Sequence, residues 1–268
     1  MRFPAAWDTL TGRMFNVTTI VAFANQKGGV AKTTSVASVG AALIEAGQRV
    51  LLVDMDPQGS LTFSLGIDPE DVEVSISEVL LGKNPTTDAI VVTDEGLHLV
   101  PATIGLAAAE ESLVSMTGRE QRLRVALTKV ADDYDWILID CPPALGVLTV
   151  GALSAADEVI IPLQAETLSH RGVGQLLDTI HDVRQFINPT LEIRGVLATM
   201  FDGRTSHART VLAAIEETYE LPVLEPPIPK TIRFAEAPAI GRTILATAGK
   251  HKGAEAYREI AAGLIKKA

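Results

Sequence analysis

Residues 17–35, VTTIVAFANQKGGVAKTTS, carry the strongest structural signal in the chain. They open with a β-branched, apolar run that is typical of a buried parallel strand. A loop over residues 25–31 follows, and an Ala-rich helical run begins at Lys32. The N–H groups of the loop and of the first helical turn converge on one point, which favours an anion such as phosphate. The stretch therefore predicts a phosphate-binding strand–loop–helix turn.

Two lysines in this turn strengthen the prediction. Lys27 and Lys32 would repel each other across a short loop unless a polyphosphate lay between them. Thr33 occupies the position from which a P-loop hydroxyl holds Mg²⁺. The pattern G-x-x-x-x-G-K-[ST] is not met, because Gln26 and Ala31 stand where it requires glycine, but the deviant pattern K-G-G-x-x-K-[ST]-T is met. An ordinary βα turn with a tight Gly-Gly bend is the weaker alternative.

Aspartates follow two further predicted strands, over residues 48–54 and 135–140. Asp54 and Asp56 follow the first strand, and Asp140 ends the second. Because the carboxyl ends of parallel strands line the ligand crevice of such sheets, we expect these acids to lie beside the P-loop. Thr33 is then expected to ligate Mg²⁺ and Asp140 to hold the water shell of the ion, with assistance from Asp54. Solubilising charge at strand ends is the weaker alternative.

Length and composition indicate one large α/β domain with an aliphatic core. The chain has 268 residues, of which 47% are hydrophobic and only 4% aromatic. Predicted strands and helices alternate without repeats, which favours a single doubly wound, mostly parallel sheet with helices on both faces. This P-loop unit is expected to span residues 17–268, after an N-terminal arm over residues 1–16. Four prolines confine residues 221–229 to a loop with at most a short edge strand.

Several classes of protein are excluded by what the sequence lacks. The one cysteine, Cys141, rules out a disulfide framework and a paired-cysteine iron–sulfur site, and we expect it to pack as a small apolar residue. No apolar run has the length of a signal peptide core or a membrane span, so a cytoplasmic protein is expected. The five histidines lack metal-ligand spacing, and there is no G-x-S-x-G elbow.

The charge of the chain is unevenly distributed. The net charge is −10, yet residues 229–252 contain five lysines and arginines against the single acid Glu236. This basic segment indicates a local patch for an anionic partner on an otherwise acidic protein.

Five blocks of the sequence resemble the ParA/Soj/MinD family of ATPases. Residues 27–34 are similar to the family's deviant Walker A box, and residues 50–59, VLLVDMDPQG, to its switch I. Residues 136–143, WILIDCPP, resemble Walker B and switch II. Two later blocks, residues 199–205 (TMFDGRT) and 228–238 (IPKTIRFAEAP), are close to ParA/Soj sequences. The likeness covers residues 17–268.

This resemblance implies a Mg²⁺-dependent ATP hydrolase with slow basal turnover. Lys32 would bridge the β- and γ-phosphates, Asp56 would orient or activate the attacking water, and Lys27 would reach the partner subunit's nucleotide across an ATP-sandwich dimer. The implied nucleotide contacts are Lys27, Gly28, Gly29, Val30, Ala31, Lys32, Thr33 and Thr34 at the phosphates, and Met200, Pro229 and Thr231 at the adenine. Ala31 stands where the family most often has glycine, which is tolerable where φ is negative.

The resemblance also implies the partners of the protein. It points to a homodimer in the ATP-bound state, to non-specific binding of nucleoid DNA, and to a ParB-type centromere-binding protein that stimulates hydrolysis. Arg204 and Arg233 match arginines that grip the DNA backbone in ParA/Soj relatives, with solvent-facing arginines as the alternative. The expected location is the cytoplasm, in association with the nucleoid.

Two other functions remain open from the sequence. A MinD-like membrane-associated ATPase would use the last helix, where Tyr257, Ile260, Leu264 and Ile265 lie at helical spacing. That helix is short and contains acids, so we expect it to pack on the domain and expect no stable membrane association. A metabolic enzyme of the same fold, such as an amide ligase or a dethiobiotin synthetase relative, would need a second substrate pocket with dedicated polar residues, which the sequence does not indicate.

Overall fold

A computed structural model describes residues 18–165, 169–203 and 206–267 of the chain, so the predicted arm lies outside the described residues. Within them, eight strands form one sheet in the order β3-β4-β2-β5-β1-β6-β7-β8. The strands are β1 (Thr19–Phe23), β2 (Val50–Asp54), β3 (Val91–Val92), β4 (His98–Val100), β5 (Trp136–Asp140), β6 (Glu158–Gln164), β7 (Glu192–Thr199) and β8 (Val223–Leu224). All neighbouring pairs are parallel except β3 with β4.

Helices cover both faces of the sheet. They are α1 (Lys32–Glu45), α2 (Ser60–Ser64), α3 (Ile76–Leu81), α4 (Gly105–Val114), α5 (Arg122–Thr128), α6 (Val147–Ala155), α7 (Ser169–Phe186), α8 (Ser206–Tyr219), α9 (Arg233–Glu236), α10 (Ile244–Ala248) and α11 (Lys252–Lys267). Alternate residues of the central strands point to opposite faces of the sheet, so each face has its own buried cluster. One cluster includes residues of α3–α8, and the other includes residues of α1, α2, α10 and α11. The predicted doubly wound α/β fold is confirmed.

Edge strands and short helices are where the prediction is coarse. The proline-rich stretch is a loop apart from β8, a two-residue edge strand, which is within the limit that the prolines set. The helices α2, α9 and α10 were not predicted, because elements of four and five residues are too short to show a helical period.

The last helix, α11, packs on the helix that follows the P-loop. Tyr257, Ile260 and Leu264 are buried against α1, and the Tyr257 hydroxyl lies 3.0 Å from Ser35 Oγ. The packed terminal helix is therefore confirmed, and the apolar face that a MinD-like membrane helix would expose is covered. In the described parts of the chain, no helix combines the length and apolarity needed to cross a membrane.

Candidate functional site

The phosphate-binding loop is held in place by the strands β6 and β7. Asn25 Nδ2 donates to the Pro162 carbonyl on β6 (2.7 Å), and Asn25 Oδ1 accepts from the Lys27 amide (2.9 Å). Thr199 Oγ1, at the end of β7, donates to the Val30 carbonyl (2.9 Å). The intervening Gly28 is exposed and faces open space, as Gly29 also does. The loop is thus fixed from below while its glycine backbone stays accessible to a ligand.

Ala31 has a positive φ, so its methyl group is strained. It adopts φ 60° and ψ 33° at the start of α1, in the left-handed region, which costs an L-residue about 1–2 kcal/mol. The chain needs this conformation to turn from the loop into the helix, where the Ser35 amide donates to the Ala31 carbonyl (3.0 Å). Position 31 is thus one where glycine would be unstrained and alanine is not.

A pair of buried aspartates lies beside the loop. Asp54 and Asp140 are register partners at the carboxyl ends of β2 and β5, and both side chains are fully buried. Thr33 Oγ1 donates to Asp140 Oδ2 at 2.6 Å. Burial, and then the charge of Asp54, raise the pKa of Asp140 to about 8, although the Thr33 hydroxyl and the Lys32 ammonium oppose the shift. Burial likewise raises the pKa of Asp54 to about 6.

This arrangement fits a hard cation. The second carboxylate oxygen of Asp140, Oδ1, is buried and has no hydrogen-bond donor among the described residues. Buried polar atoms are normally paired, so an orphaned carboxylate oxygen beside the Thr33 hydroxyl indicates a missing positive partner. Oxygen ligands are those that Mg²⁺ prefers, and a cation that binds here would favour the ionised carboxylates, against the effect of burial. Thr33 and Asp140 are the residues that would hold it.

Asp54 makes more internal contacts than the sequence suggests. Its Oδ2 accepts hydrogen bonds from the backbone amide and the hydroxyl of Thr62 (2.9 and 2.8 Å), and its Oδ1 accepts from the Asp56 amide (3.1 Å). The half-buried Asp56 side chain accepts from the Gln58 amide (3.0 Å). Thr62 was missed by sequence reasoning, because no local pattern links it to an aspartate eight residues earlier.

Met200 and Pro229, two of the three residues expected at the adenine, lie on segments that pair just beyond the end of β7. Phe201, which follows Met200, pairs with Pro229: the Phe201 amide donates to the Ile228 carbonyl (2.9 Å) and the Lys230 amide donates to the Phe201 carbonyl (3.2 Å). This end of β7 adjoins the P-loop through Thr199. Sequence reasoning missed Thr199, although its place at the carboxyl end of a parallel strand was a usable signal. The adenine contacts of Met200, Pro229 and Thr231 stay predictions.

The two P-loop lysines have different surroundings. Lys32 is only 7% exposed, whereas Lys27 is half-buried and borders a cavity of about 450 Å³ between the loop and α7. The cavity is lined by Asn25, Gln26, Lys27, Val30, Leu163, Gly172 and Gln175. Separate roles for the two lysines are compatible with this placement.

The basic segment lies at the surface. Its exposed cations are Lys230, Arg233, Arg242, Lys250 and Lys252. Arg233 forms a 2.8 Å ion pair with Glu236, but the two side chains are 54% and 50% exposed, and such a pair contributes less than about 1 kcal/mol. Arg233 can therefore exchange Glu236 for a stronger anion. The other arginine predicted to bind DNA, Arg204, lies outside the described residues.

Cys141 is confirmed as a packing residue. Its side chain is buried in the core next to Asp140, and burial raises the pKa of the thiol. A thiol in this environment stays protonated and is a poor nucleophile.

Comparison with known proteins agrees with this geometry. The family model described as "AAA domain" matches residues 18–193. The sporulation initiation inhibitor protein Soj of Bacillus subtilis is 44% identical over 243 residues, which cover 90% of this chain and 96% of Soj. The chromosome partitioning protein ParA of Myxococcus xanthus is 43% identical over 249 residues, which cover 92% of this chain and 88% of that protein.

A solved structure from Mycobacterium smegmatis is similar over nearly the whole chain. It is described as a cobyrinic acid a,c-diamide synthase with a bound ATP analog and magnesium. Its sequence is 56% identical, the TM-score is 0.85, and the match covers 93% of this chain and 95% of that one. With the deviant P-loop, the paired strand-end aspartates and two relatives named for Soj and ParA, the chain belongs to the ParA/Soj family of AAA-domain ATPases.

Proposed function

We propose that residues 17–268 form a partition ATPase that binds ATP with Mg²⁺, closes into a homodimer and then binds DNA without sequence preference. A ParB-type partner would stimulate hydrolysis and so release the DNA. The observation that carries the proposal is the orphaned Asp140 oxygen beside Thr33, at the point where a lysine-bearing phosphate loop enters α1. Relatives named for chromosome partitioning support the biological role.

Nucleotide binding follows from the loop. The accessible backbone at Gly28 and Gly29 would bind the phosphates, and the buried Lys32 ammonium would lie between the β- and γ-phosphates. Thr33 and Asp140 would hold Mg²⁺, which supplies charge neutralisation on the phosphate oxygens when it is bound.

Hydrolysis depends mainly on positioning. Phosphoryl transfer needs an oriented water and a neutralised phosphate more than covalent chemistry. The Asp56 carboxylate is half-buried and is the group we assign to orienting that water. Its backbone is held by Asp54, so the carboxylate has a defined place at the end of β2.

Dimer formation would be linked to the nucleotide. We assign Lys27, which borders the cavity beside the loop, to the phosphates bound by the partner subunit. A ligand that is bound by both subunits stabilises the dimer by mass action, so occupancy of the site would set the fraction of dimer.

DNA binding is assigned to the basic segment. Its exposed lysines and arginines can contact phosphates but offer no recognition helix for bases, so binding should be indifferent to sequence and weaken strongly with salt. The test is binding to a random-sequence duplex with a non-hydrolysable ATP analogue or with ADP, at low and at high salt. Tight, salt-sensitive binding that requires the ATP analogue supports the proposal, and equal binding in both nucleotide states contradicts it.

Arg233→Glu is expected to weaken this DNA binding by about tenfold while ATP affinity is unchanged. The substitution puts a negative charge, which repels a DNA phosphate, where a positive charge would attract it. Arg124→Glu is the matched control: it makes the same charge reversal at an exposed arginine of α5. Titration of labelled duplex checks both variants. If both variants lose the same amount of DNA affinity, the effect is one of net charge. If neither variant loses DNA affinity, Arg233 faces solvent and does not contact DNA.

An amide-forming ligase is the second candidate, because the Mycobacterium smegmatis relative bears the name of a diamide synthase. Such an enzyme consumes ATP only when an amine donor and a carboxylic acid are present. The cavity beside the P-loop is lined largely by the loop itself, so it offers no dedicated site for a second substrate. The chain's one thiol, that of Cys141, is buried and offers none either. ADP release in buffer that contains only ATP, Mg²⁺ and DNA supports the ATPase; a strict requirement for an amine and an acid supports the ligase.

A further inference from the structure

Thr62 forms a buried link between two strand ends of the sheet. It lies in α2 and is fully buried. Its hydroxyl donates to Asp54 Oδ2 at the end of β2 and accepts from the Ala102 amide, two residues after β4, at 3.0 Å. Its own amide also donates to Asp54 Oδ2. A hydroxyl that both donates and accepts in a dry site has a fixed orientation.

The link reaches the residue assigned to orienting water. Asp54 uses its other oxygen to accept from the Asp56 amide, so hydrogen bonds run from Ala102 through Thr62 and Asp54 to the backbone of Asp56. We propose that Thr62 is a positioning residue for hydrolysis: it orients the Asp54 carboxylate, which in turn holds the Asp56 backbone. This inference rests on the proposed ATPase function.

Thr62→Val tests the proposal because it keeps the shape and removes the hydroxyl. Turnover should fall by about ten- to a hundredfold with KM for ATP nearly unchanged, since a small misplacement of a reacting group has effects of this size. Thr62→Ser, which keeps the hydroxyl, should restore turnover. In the nucleotide-free protein, amide hydrogen exchange in residues 54–62 should be faster in the valine variant.

Thr86→Val is the matched control. Thr86 is also buried, and its hydroxyl donates to a backbone carbonyl, that of Ala126, at 2.8 Å and far along the chain. It should keep wild-type turnover. The proposal is overturned if Thr62→Val turns over ATP at the wild-type rate, or if turnover falls as much in Thr86→Val as in Thr62→Val. It is also overturned if a folded Thr62→Ser turns over ATP as slowly as Thr62→Val does. Absence of hydrolysis in the wild type would instead overturn the proposed function.

A second inference comes from a close backbone contact between α2 and the basic segment. Gly66, two residues after α2, has φ 82°, and Gly241, in the basic segment, has φ 68°. A Cβ atom on Gly241 would lie 2.6 Å from Gly66 Cα, so a side chain there would force the two backbones apart. Just beyond, Thr243 donates through its amide and its hydroxyl to the Glu95 carboxylate, both at 2.7 Å.

The contact connects the region that contains Asp56 and α2 to the basic segment, which contains Arg233. The hydrogen bonds from Thr62 to Asp54 hold α2 at the end of β2, and Gly241 packs against Gly66 just beyond the other end of α2. We infer that Gly241 positions the basic segment on α2, so that DNA affinity follows the nucleotide state of the site. This rests on the proposed DNA-binding function.

Gly241→Ala tests the inference against Gly118→Ala. Both glycines have nearly the same φ, 68° and 67°, but a Cβ on Gly118 would have no atom within 4 Å. The backbone strain is therefore matched and only the contact differs. For Gly241→Ala, the ratio of DNA affinities with ATP analogue and with ADP should fall by about tenfold, within the usual range of coupling between sites, while ATP affinity is kept.

Gly118→Ala should keep the wild-type ratio. A folded Gly241→Ala that also keeps it overturns the inference. If Gly241→Ala does not fold, Gly66→Ala replaces it, because its Cβ would be 3.2 Å from the Gly241 carbonyl oxygen and so disturbs the contact less. A wild-type protein whose DNA binding ignores the nucleotide would overturn the proposed function as well.

Discussion

Lys32→Ala is expected to abolish ATP binding at micromolar protein concentrations. Lys32 is almost fully buried at the first position of α1, and its ammonium lies close enough to Asp140 to oppose the rise in the pKa of that carboxyl. The substitution removes the Lys32 ammonium, which is the one buried cation among the described residues of the site that can contact a polyphosphate. The loss should be about 10²- to 10³-fold in affinity, because truncating one partner of a hydrogen-bonded charge pair costs about 2–5 kcal/mol.

Equilibrium titration with a fluorescent ATP analogue measures this loss. Lys129→Ala, at an exposed lysine that follows α5, is the control and should bind as the wild type does. Thermal unfolding establishes that both variants are folded. Tight ATP binding that survives in Lys32→Ala would contradict the assignment of Lys32 to the phosphates.

Asp56→Ala is expected to bind ATP normally and to hydrolyse it about 10²- to 10⁴-fold more slowly, the range for loss of a group that orients or accepts a proton from the nucleophile. Because the nucleotide would persist, the variant should stay dimeric and remain on DNA after free ATP is removed. Phosphate release and the rate of dissociation from DNA are the two measurements.

The control for this variant has the same local geometry. Asp68 accepts the amide of the residue two positions later at 3.0 Å, as Asp56 does with Gln58. Asp68 is exposed, and Asp68→Ala should hydrolyse ATP at the wild-type rate. Normal turnover in Asp56→Ala would remove this carboxylate from the mechanism.

The parts of the site that the sequence predicts are those set by local patterns. A β-branched run, a Gly-Gly loop and two lysines lie next to one another in the chain, so the P-loop is visible without any tertiary information. Asp54 and Asp140 are predicted to meet because the carboxyl ends of parallel strands share one edge, and the register of β2 with β5 confirms it.

The parts that the sequence misses depend on long-range contacts or on backbone angles. Whether Thr62 reaches Asp54 depends on the turn between β2 and α2, and the approach of Gly66 to Gly241 joins segments 175 residues apart. The left-handed conformation of Ala31 is dictated by the geometry of the loop, against the preference of the residue itself. None of these features has a signature in residue spacing.

The central claim is that a nucleotide bound between two subunits holds them together, and the molar mass of the protein in solution tests it most directly. With Mg²⁺ and a saturating non-hydrolysable ATP analogue, light scattering should show a dimer. With ADP, and for Lys27→Ala with either nucleotide, it should show a monomer. A wild-type protein that stays monomeric while saturated with the analogue would contradict the account.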